Sequence, residues 1–374
     1  MSDAVAPSVV EGGAEMTTNP GKQGSPPLHG GDIEATAQSG GSPNLLVQRK
    51  SHWLRNALKR KSVFNLAWLV GVIILESIIF DVLNSRYMTV ANLQTIGYEA
   101  AFDGILAVGL TFAMICNTLD ISFASVAGLV GMVVAVLASN VGLPLGVAVC
   151  IGILAGAFAG FVNGVVIVFA KVPAFIVTLA VLFIAYGIQL VLSGGNVVPL
   201  FGQSFHAITS GYLWVIPLPV VYALVLAVVM GFVLRKTVFG AHVIEVGSNE
   251  EATRRFGVRI RSLRIVVLVI VGVLAGIVGV LITSELSSAS PSEGSTTLLT
   301  VIAAVVLGGT SLFGGEGSII GSLLGVLFIT ALQNGLILAG VNPNFEYVVT
   351  GLFLLGAVTL QFVGRSKDSA RASG

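Results

Sequence analysis

Charged residues are scarce in this sequence. They make up 10% of its 374 residues, whereas about a quarter of the residues of a soluble domain are charged. Apolar residues make up 55%, and the mean hydropathy is +0.96. The formal net charge of +1 excludes a global attraction to nucleic acid, so no nucleic-acid partner is predicted. This composition indicates a chain that lies in a lipid bilayer.

Residues that form metal sites, disulfides or nucleotide sites are also few. Cys116 and Cys150 both lie in apolar runs, and the four histidines have no metal-ligand spacing. The phosphate-binding pattern G-x-x-x-x-G-K-[ST] is absent, and the Gly-rich segment 308–317 has no lysine to reach a phosphate. We therefore predict no catalytic residue, no metal and no cofactor in this chain.

The basic residues are distributed unevenly. Seven of the nineteen precede residue 62, seven lie between Arg235 and Arg264, and three follow Gly364. By the positive-inside rule, both termini and the loop 235–264 are predicted to be cytoplasmic. Residues 1–48 are rich in Gly, Ser and Pro, which predicts a disordered cytoplasmic tail, and the apolar run that follows predicts an uncleaved first helix.

The apolar runs predict an all-α polytopic membrane protein. A transmembrane domain over 49–364, with the cytoplasmic loop 235–264, precedes a short cytoplasmic tail over 365–374. An even number of spans must lie on each side of the loop, and runs of about twenty residues satisfy this condition. The ten predicted spans are 63–83, 102–119, 122–139, 144–170, 173–193, 212–234, 265–284, 298–312, 318–339 and 346–363. The span 298–312 is short and ends among glycines, a composition typical of a break in the backbone inside a protein-lined cavity.

A short helix over 249–256 is predicted within the loop. Ser248 is a suitable N-cap, Glu251 completes a Ser-x-x-Glu capping box, and Gly257 suits a left-handed helix end. Two ion pairs with i,i+4 spacing, Glu250 with Arg254 and Glu251 with Arg255, support the helix. Because such a helix is marginal in water and is followed by an apolar Phe256, we expect it to dock on a partner; a solvated surface turn is the alternative.

Glycines recur every four residues at 152–164 and again at 317–325. Each set forms a smooth stripe on a helix, which lets helices in lipid approach closely. We expect these stripes to pack helices within one subunit, although a subunit interface would use the same pattern.

Ordered motifs between about Asn92 and Leu360 resemble a known family. They are Leu119-Asp120-Ile121-Ser122, Gly160-Phe-Val-Asn163-Gly164, Lys171-Val-Pro173-Ala-Phe175-Ile176-Val-Thr178, Gly247-Ser-Asn249-Glu-Glu-Ala252 with Arg254 and Gly257, Ala303-Ala304-Val-Val-Leu-Gly308-Gly309-Thr310-Ser311, and Gly314-Gly315-x-Gly317-Ser318 leading to Asn334-Gly335-Leu336. In this order they are similar to the permeases of binding-protein-dependent ABC importers for ribose, galactose, xylose and related monosaccharides.

The resemblance implies a type II ABC importer permease fold in the bacterial inner membrane. The implied partners are a cytoplasmic ATP-binding subunit that binds ATP and Mg, a periplasmic solute-binding protein, and a second permease copy or a related chain. It also implies that the loop helix contacts the ATP-binding subunit. The predicted contact residues are Gly247, Ser248, Asn249, Glu250, Glu251, Ala252, Arg254, Arg255 and Gly257.

Uncharged polar side chains within the spans are candidates for the solute passage, because they suit a hydroxylated solute. They are Asn163, Thr178, Gln189, Gln333 and Asn334. Hydrogen bonding between helices explains each of them equally well. The alternative functions are an ABC permease for branched-chain amino acids or nucleosides, an ion-coupled secondary carrier, and a structural membrane scaffold.

Overall fold

A computed structural model describes residues 66–200, 203–291, 294 and 297–372. The predicted tail 1–48 lies outside the described residues. Almost all regular structure is helical, apart from two antiparallel pairs of two-residue strands, so the all-α expectation is confirmed. The strands are β1 (Val198–Pro199) paired with β4 (Ser288–Ala289), and β2 (Tyr212–Leu213) paired with β3 (Ile216–Pro217).

Nine helices in the described part of the chain are long and apolar enough to cross a membrane. They are α1 (Leu66–Leu83), α2 (Val90–Ile115), α3 (Phe123–Ala135, continued by a π-helical turn Val136–Asn140), α4 (Leu145–Ala170), α5 (Ala174–Ser193), α7 (Leu218–Lys236), α10 (Ile260–Leu286), α12 (Ile319–Leu338) and α13 (Phe345–Ala372). The four shorter helices are α6 (Gln203–Ser210), α8 (Val238–Ser248), α9 (Glu250–Arg255) and α11 (Thr297–Leu307). Helix α13 extends into the segment predicted as the carboxyl-terminal tail.

The predicted span 298–312 is occupied by a shorter element. Helix α11 has 11 residues, so it is about 16 Å long, roughly half of the ~30 Å hydrocarbon thickness. A glycine-rich segment of irregular structure, 308–318, follows it and turns the chain into α12. The glycine composition therefore indicated correctly that the backbone breaks here.

The bundle has two distinguishable ends. One end, here called the loop end, carries α8 and α9. There the Gly315 amide donates to the carbonyl of Ile115, the last residue of α2, at 2.9 Å. At the opposite end the Asn84 side-chain amide donates to the carbonyl of Leu338 at 2.7 Å, which brings together the ends of α1 and α12. Six long helices precede the loop, as the charge pattern predicted, but only three follow it in the described residues, because the short helix α11 takes the place of the fourth predicted span.

The glycine stripes pack helices against one another inside the chain, as expected. On α4, a Cβ added at Gly160 would lie 2.1 Å from the Leu268 carbonyl oxygen, and one at Gly156 would lie 2.5 Å from that of Gly272. On α12, a Cβ at Gly325 would lie 2.0 Å from the carbonyl oxygen of Ala304 in α11. Backbones this close leave no room for any side chain, so both stripes form helix-to-helix seams.

Candidate functional site

The loop helix α9 begins one residue later than the sequence predicted. Ser248 is not its N-cap: it is the last residue of α8, and its hydroxyl donates to the Ile244 carbonyl at 2.8 Å. Asn249 is the N-cap, because its side-chain oxygen accepts from the Ala252 amide at 2.9 Å. The prediction of a Ser-x-x-Glu capping box with Ser248 as the N-cap is therefore wrong. Asn is as good an N-cap residue as Ser. The Ser248 hydroxyl is already engaged by the Ile244 carbonyl in the preceding helical turn.

Replacement of Asn249 by Ala should destabilise α9 by about 1 kcal/mol, because the Ala252 amide loses its acceptor. Hydrogen exchange of the α9 amides should become about fivefold faster, while exchange in α4 and α10 stays unchanged. Ser248→Ala is the matched control, since its hydroxyl only bonds back within α8. Faster exchange in the Ser248 variant alone would contradict this assignment of the cap.

The remaining features of α9 agree with the sequence prediction. Glu250 pairs with Arg254 at 2.7 Å and Glu251 pairs with Arg255 at 2.6 Å. Gly257 ends the helix with a φ of +81°, in the left-handed region that favours glycine. Arg264 of α10 adds a pair that the sequence did not indicate, with Glu250 at 2.7 Å, so α9 is tied to the start of a long helix.

Phe256 is 88% exposed at the end of α9. An exposed aromatic side chain beside four charged residues is available to dock on a partner, because aromatic residues are enriched among the residues that dominate binding. The side chains of α9 and Phe256 together form what we call the coupling surface.

Gly247 of α8 lies directly on the end of α2. A Cβ added there would lie 1.7 Å from the Ile115 carbonyl oxygen and 2.5 Å from the Gly315 nitrogen. The same Ile115 carbonyl accepts from the Gly315 amide. The loop is therefore in backbone contact with both α2 and the segment 308–318. Sequence reasoning missed this junction, and the only signal for it was the density of glycine on both sides.

Three of the candidate passage residues are enclosed between helices. Asn163, Thr178 and Gln189 are all 0% exposed. The Asn163 side-chain amide donates to the Ser122 hydroxyl at 2.8 Å, and that of Gln189 donates to the Ser125 carbonyl at 3.0 Å. In this conformation these side chains hold α4 and α5 against α3 and the turn before it.

The other two candidates lie on α12, towards the end opposite the loop. Asn334 accepts from the Asn92 side-chain amide of α2 at 2.9 Å. Gln333 donates to the Thr350 hydroxyl of α13 at 3.2 Å and lines a cavity of about 30 Å³. The other lining residues are Leu299, Thr300, Glu346, Tyr347 and Thr350. Of the five candidates, Gln333 alone faces this cavity.

The bundle and its coupling surface define a polytopic membrane protein with one compact helical loop at one end. The family described as "Branched-chain amino acid transport system / permease component" matches residues 92–358, and the chain belongs to this family. This match and the sugar-permease relatives described next together confirm the resemblance drawn from the motifs.

Three curated relatives cover most of the chain. It is 33% identical over 293 residues to the ribose import permease protein RbsC of Haemophilus influenzae, which covers 77% of this chain and 90% of that relative. It is 35% identical over 293 residues to RbsC of Bacillus subtilis, with coverages of 78% and 90%. It is 33% identical over 291 residues to the L-arabinose transport system permease protein AraH of Escherichia coli, with coverages of 77% and 88%. No solved structure matches the chain.

Proposed function

We propose that this chain is the membrane-embedded permease subunit of an ABC importer that passes a monosaccharide into the cytoplasm. The observation that carries the proposal is the likeness, over about three quarters of the chain, to permeases named for ribose and arabinose import. The same names favour a sugar over a branched-chain amino acid or a nucleoside. The inner membrane is the implied location.

ATP is hydrolysed by a separate subunit, which binds the nucleotide and its Mg ion. The coupling surface suits this partner, because it combines an exposed aromatic ring with four charges held on a capped helix. Its proposed contact residues extend from Gly247 to Gly257. Gly247 connects this surface to α2 through Ile115, so a movement of α9 is transmitted to a helix that crosses the whole bundle.

The partners on the other side follow from the same assignment. Both termini and the loop end face the cytoplasm, and a periplasmic binding protein delivers the solute to the opposite end. The permease works as a dimer of two identical chains or of this chain with a relative.

Gln333 is the favoured passage residue because it lines the cavity near the end opposite the loop. Asn163, Thr178 and Gln189 enter the passage only if their helices part.

Replacing Glu250, Glu251, Arg254 and Arg255 together by Gln should uncouple ATP hydrolysis from uptake. The pairs that these residues form with one another are exposed and contribute about 0 to 1 kcal/mol each. The variant also removes the Glu250 partner of Arg264, which should loosen α9 while the long helices stay folded in the membrane. In proteoliposomes that contain the partner subunits, sugar uptake should fall to background, and loaded binding protein should no longer stimulate the ATPase.

Lys236→Gln is the control, because it removes one charge at the same end of the bundle but lies outside α9. Normal uptake by the fourfold variant would contradict the coupling role. Dissipation of the proton gradient by an ionophore distinguishes the ABC importer from an ion-coupled secondary carrier. Uptake that needs the gradient but neither ATP nor the partner subunits would overturn the importer assignment.

A further inference from the structure

Three cations near the loop ends of α4 and α10 have no carboxylate partner among the described residues. Lys171 follows α4, Arg259 precedes α10, and Arg261 lies in the first turn of α10; all three are exposed. Ion pairs in the described part of the chain involve other residues, and no side-chain hydrogen bond reaches any of these three. We call this group the basic corner.

Neighbouring cations in the same loop are neutralised. Each of Arg254, Arg255 and Arg264 lies within 2.7 Å of a glutamate oxygen. The basic corner therefore differs from the rest of this arginine-rich loop. It is a place where positive charge remains available to an external anion.

The packing of α4 against α10 brings the chain segments that carry the basic corner to the same end of the two helices. A Cβ at Gly164 would lie 2.8 Å from the Ile265 Cα, so the loop ends of the two helices are in contact. The Arg261 guanidinium lies 6.0 Å from the centre of the Phe169 ring, within the range of a cation–π interaction. This contact places Arg261 beside the end of α4, because Phe169 lies two residues before Lys171.

An exposed aromatic stripe continues from the basic corner along α4. Phe169 is 64% exposed and Phe158 is 65% exposed. Phe169 is eleven positions after Phe158, which is about three helical turns, so both rings lie on the same helix face. Their spacing along the axis is about 16 Å, close to the half-thickness of about 15 Å of the hydrocarbon core. The two rings thus cover a length of α4 comparable to the thickness of one leaflet.

We propose that the basic corner and the aromatic stripe form a binding site for an anionic phospholipid. Its phosphate accepts hydrogen bonds from Arg261 and from the neighbouring cations, while an acyl chain covers Phe169 and Phe158. The guanidinium group suits phosphate because its donors form a planar fork, and basic pockets between transmembrane helices are a known mode of lipid recognition.

Two other occupants fit the same surface less well. A soluble anion would use the cations alone and would gain nothing from the aromatic stripe, which bulk lipid would cover. A second copy related by a twofold axis through this surface would place the same three cations opposite one another, which is repulsive. An anionic lipid satisfies the charge and the apolar stripe together.

The test is native mass spectrometry of the purified full-length chain with phosphatidylglycerol or with phosphatidylcholine. The wild-type chain should bind phosphatidylglycerol about tenfold more tightly than phosphatidylcholine. The variant with Lys171→Gln, Arg259→Gln and Arg261→Gln should lose this preference, because each cation near the membrane surface favours anionic lipid. Lys236→Gln, a free cation at the end of α7, should behave as the wild type.

A second variant, Phe158→Ala, should weaken phosphatidylglycerol binding while the preference over phosphatidylcholine persists, because Phe169 still contacts Arg261. Equal binding of the two lipids by the wild-type chain would overturn the proposal, as would an unchanged preference in the triple variant. Displacement of phosphatidylglycerol by an equal concentration of glycerol 3-phosphate would show a soluble-anion site instead. Loss of ATPase-subunit binding in the triple variant, with lipid binding unchanged, would assign the basic corner to that subunit.

Discussion

Replacing Gly160 by Ala should lower the unfolding temperature of the chain by about 3 °C. The added Cβ would lie 2.1 Å from the Leu268 carbonyl oxygen and 2.8 Å from its carbonyl carbon. Both are backbone atoms, so no side-chain rotation relieves the clash, and α4 must move away from α10. Overpacking of this kind costs about 1–3 kcal/mol, and in a chain of this size each kcal/mol corresponds to roughly 1–2 °C.

The measurement is thermal unfolding of the detergent-purified chain. Gly187→Ala on α5 is the matched control, because nothing lies within 4 Å of the position of its Cβ. That variant should be neutral or slightly stabilised, since Ala is favoured over Gly within a helix by up to about 1 kcal/mol. Similar unfolding temperatures for the wild type and the Gly160 variant would show that the seam can open without cost.

Replacing Gly247 by Ala should impair coupling more than stability. The Cβ would lie 1.7 Å from the Ile115 carbonyl oxygen, so α8 must separate from the end of α2. Because α8 lies at the end of the bundle, we expect α8 and α9 to shift as a unit while the long helices stay in place. A cost of 1–3 kcal/mol at this junction corresponds to about a 5- to 150-fold loss of coupled transport.

Uptake by reconstituted proteoliposomes, together with hydrogen exchange, tests this expectation. Uptake should fall by at least about fivefold, and amides of α8 and α9 should exchange faster than in the wild type while those of α4 and α10 do not. Gly231→Ala on α7 is the control, since nothing lies within 4 Å of the position of its Cβ and it lies outside the proposed contact residues. Full uptake in the Gly247 variant would mean that the contact with α2 does not transmit movement.

The long helices could be predicted from the sequence because lipid imposes a simple rule on them. A run such as 144–170 must satisfy its backbone internally and must be apolar throughout, so hydropathy alone located α4. Segment 298–312 was harder, because a helix that stops halfway has the same composition as one that spans. The glycines at 308 and 309 indicated the break but not that α11 ends at Leu307.

The details of α9 depended on competition between neighbouring residues. Ser248 and Asn249 are both good N-caps, and the choice between them was made by α8, which extends far enough to engage the Ser248 hydroxyl. The i,i+4 pairs were predictable because both partners belong to one helix. The pair between Glu250 and Arg264 was not, because it joins two helices whose relative placement only the tertiary structure fixes.

The passage residues show where single-sequence reasoning stops. Gln189 and Gln333 have the same side chain and both lie in apolar helices, yet Gln189 bonds to a backbone carbonyl of α3 while Gln333 lines a cavity. Composition and spacing do not distinguish a side chain that joins two helices from one that faces a solute. The distinction depends on which face of each helix meets a neighbour.

The short helix α11 also constrains how the chain enters the membrane during synthesis. A segment inserts into lipid by itself only when its backbone bonds are satisfied internally, and an 11-residue helix followed by irregular backbone does not meet this condition. Its carbonyls and amides are covered by neighbours instead: Gly325 of α12 packs on Ala304, and the Gln361 side chain of α13 donates to the carbonyl of Thr310 at 2.9 Å. Since α12 and α13 are synthesised after α11, the stretch from 297 to 318 can settle into the membrane only once the chain that follows it has emerged.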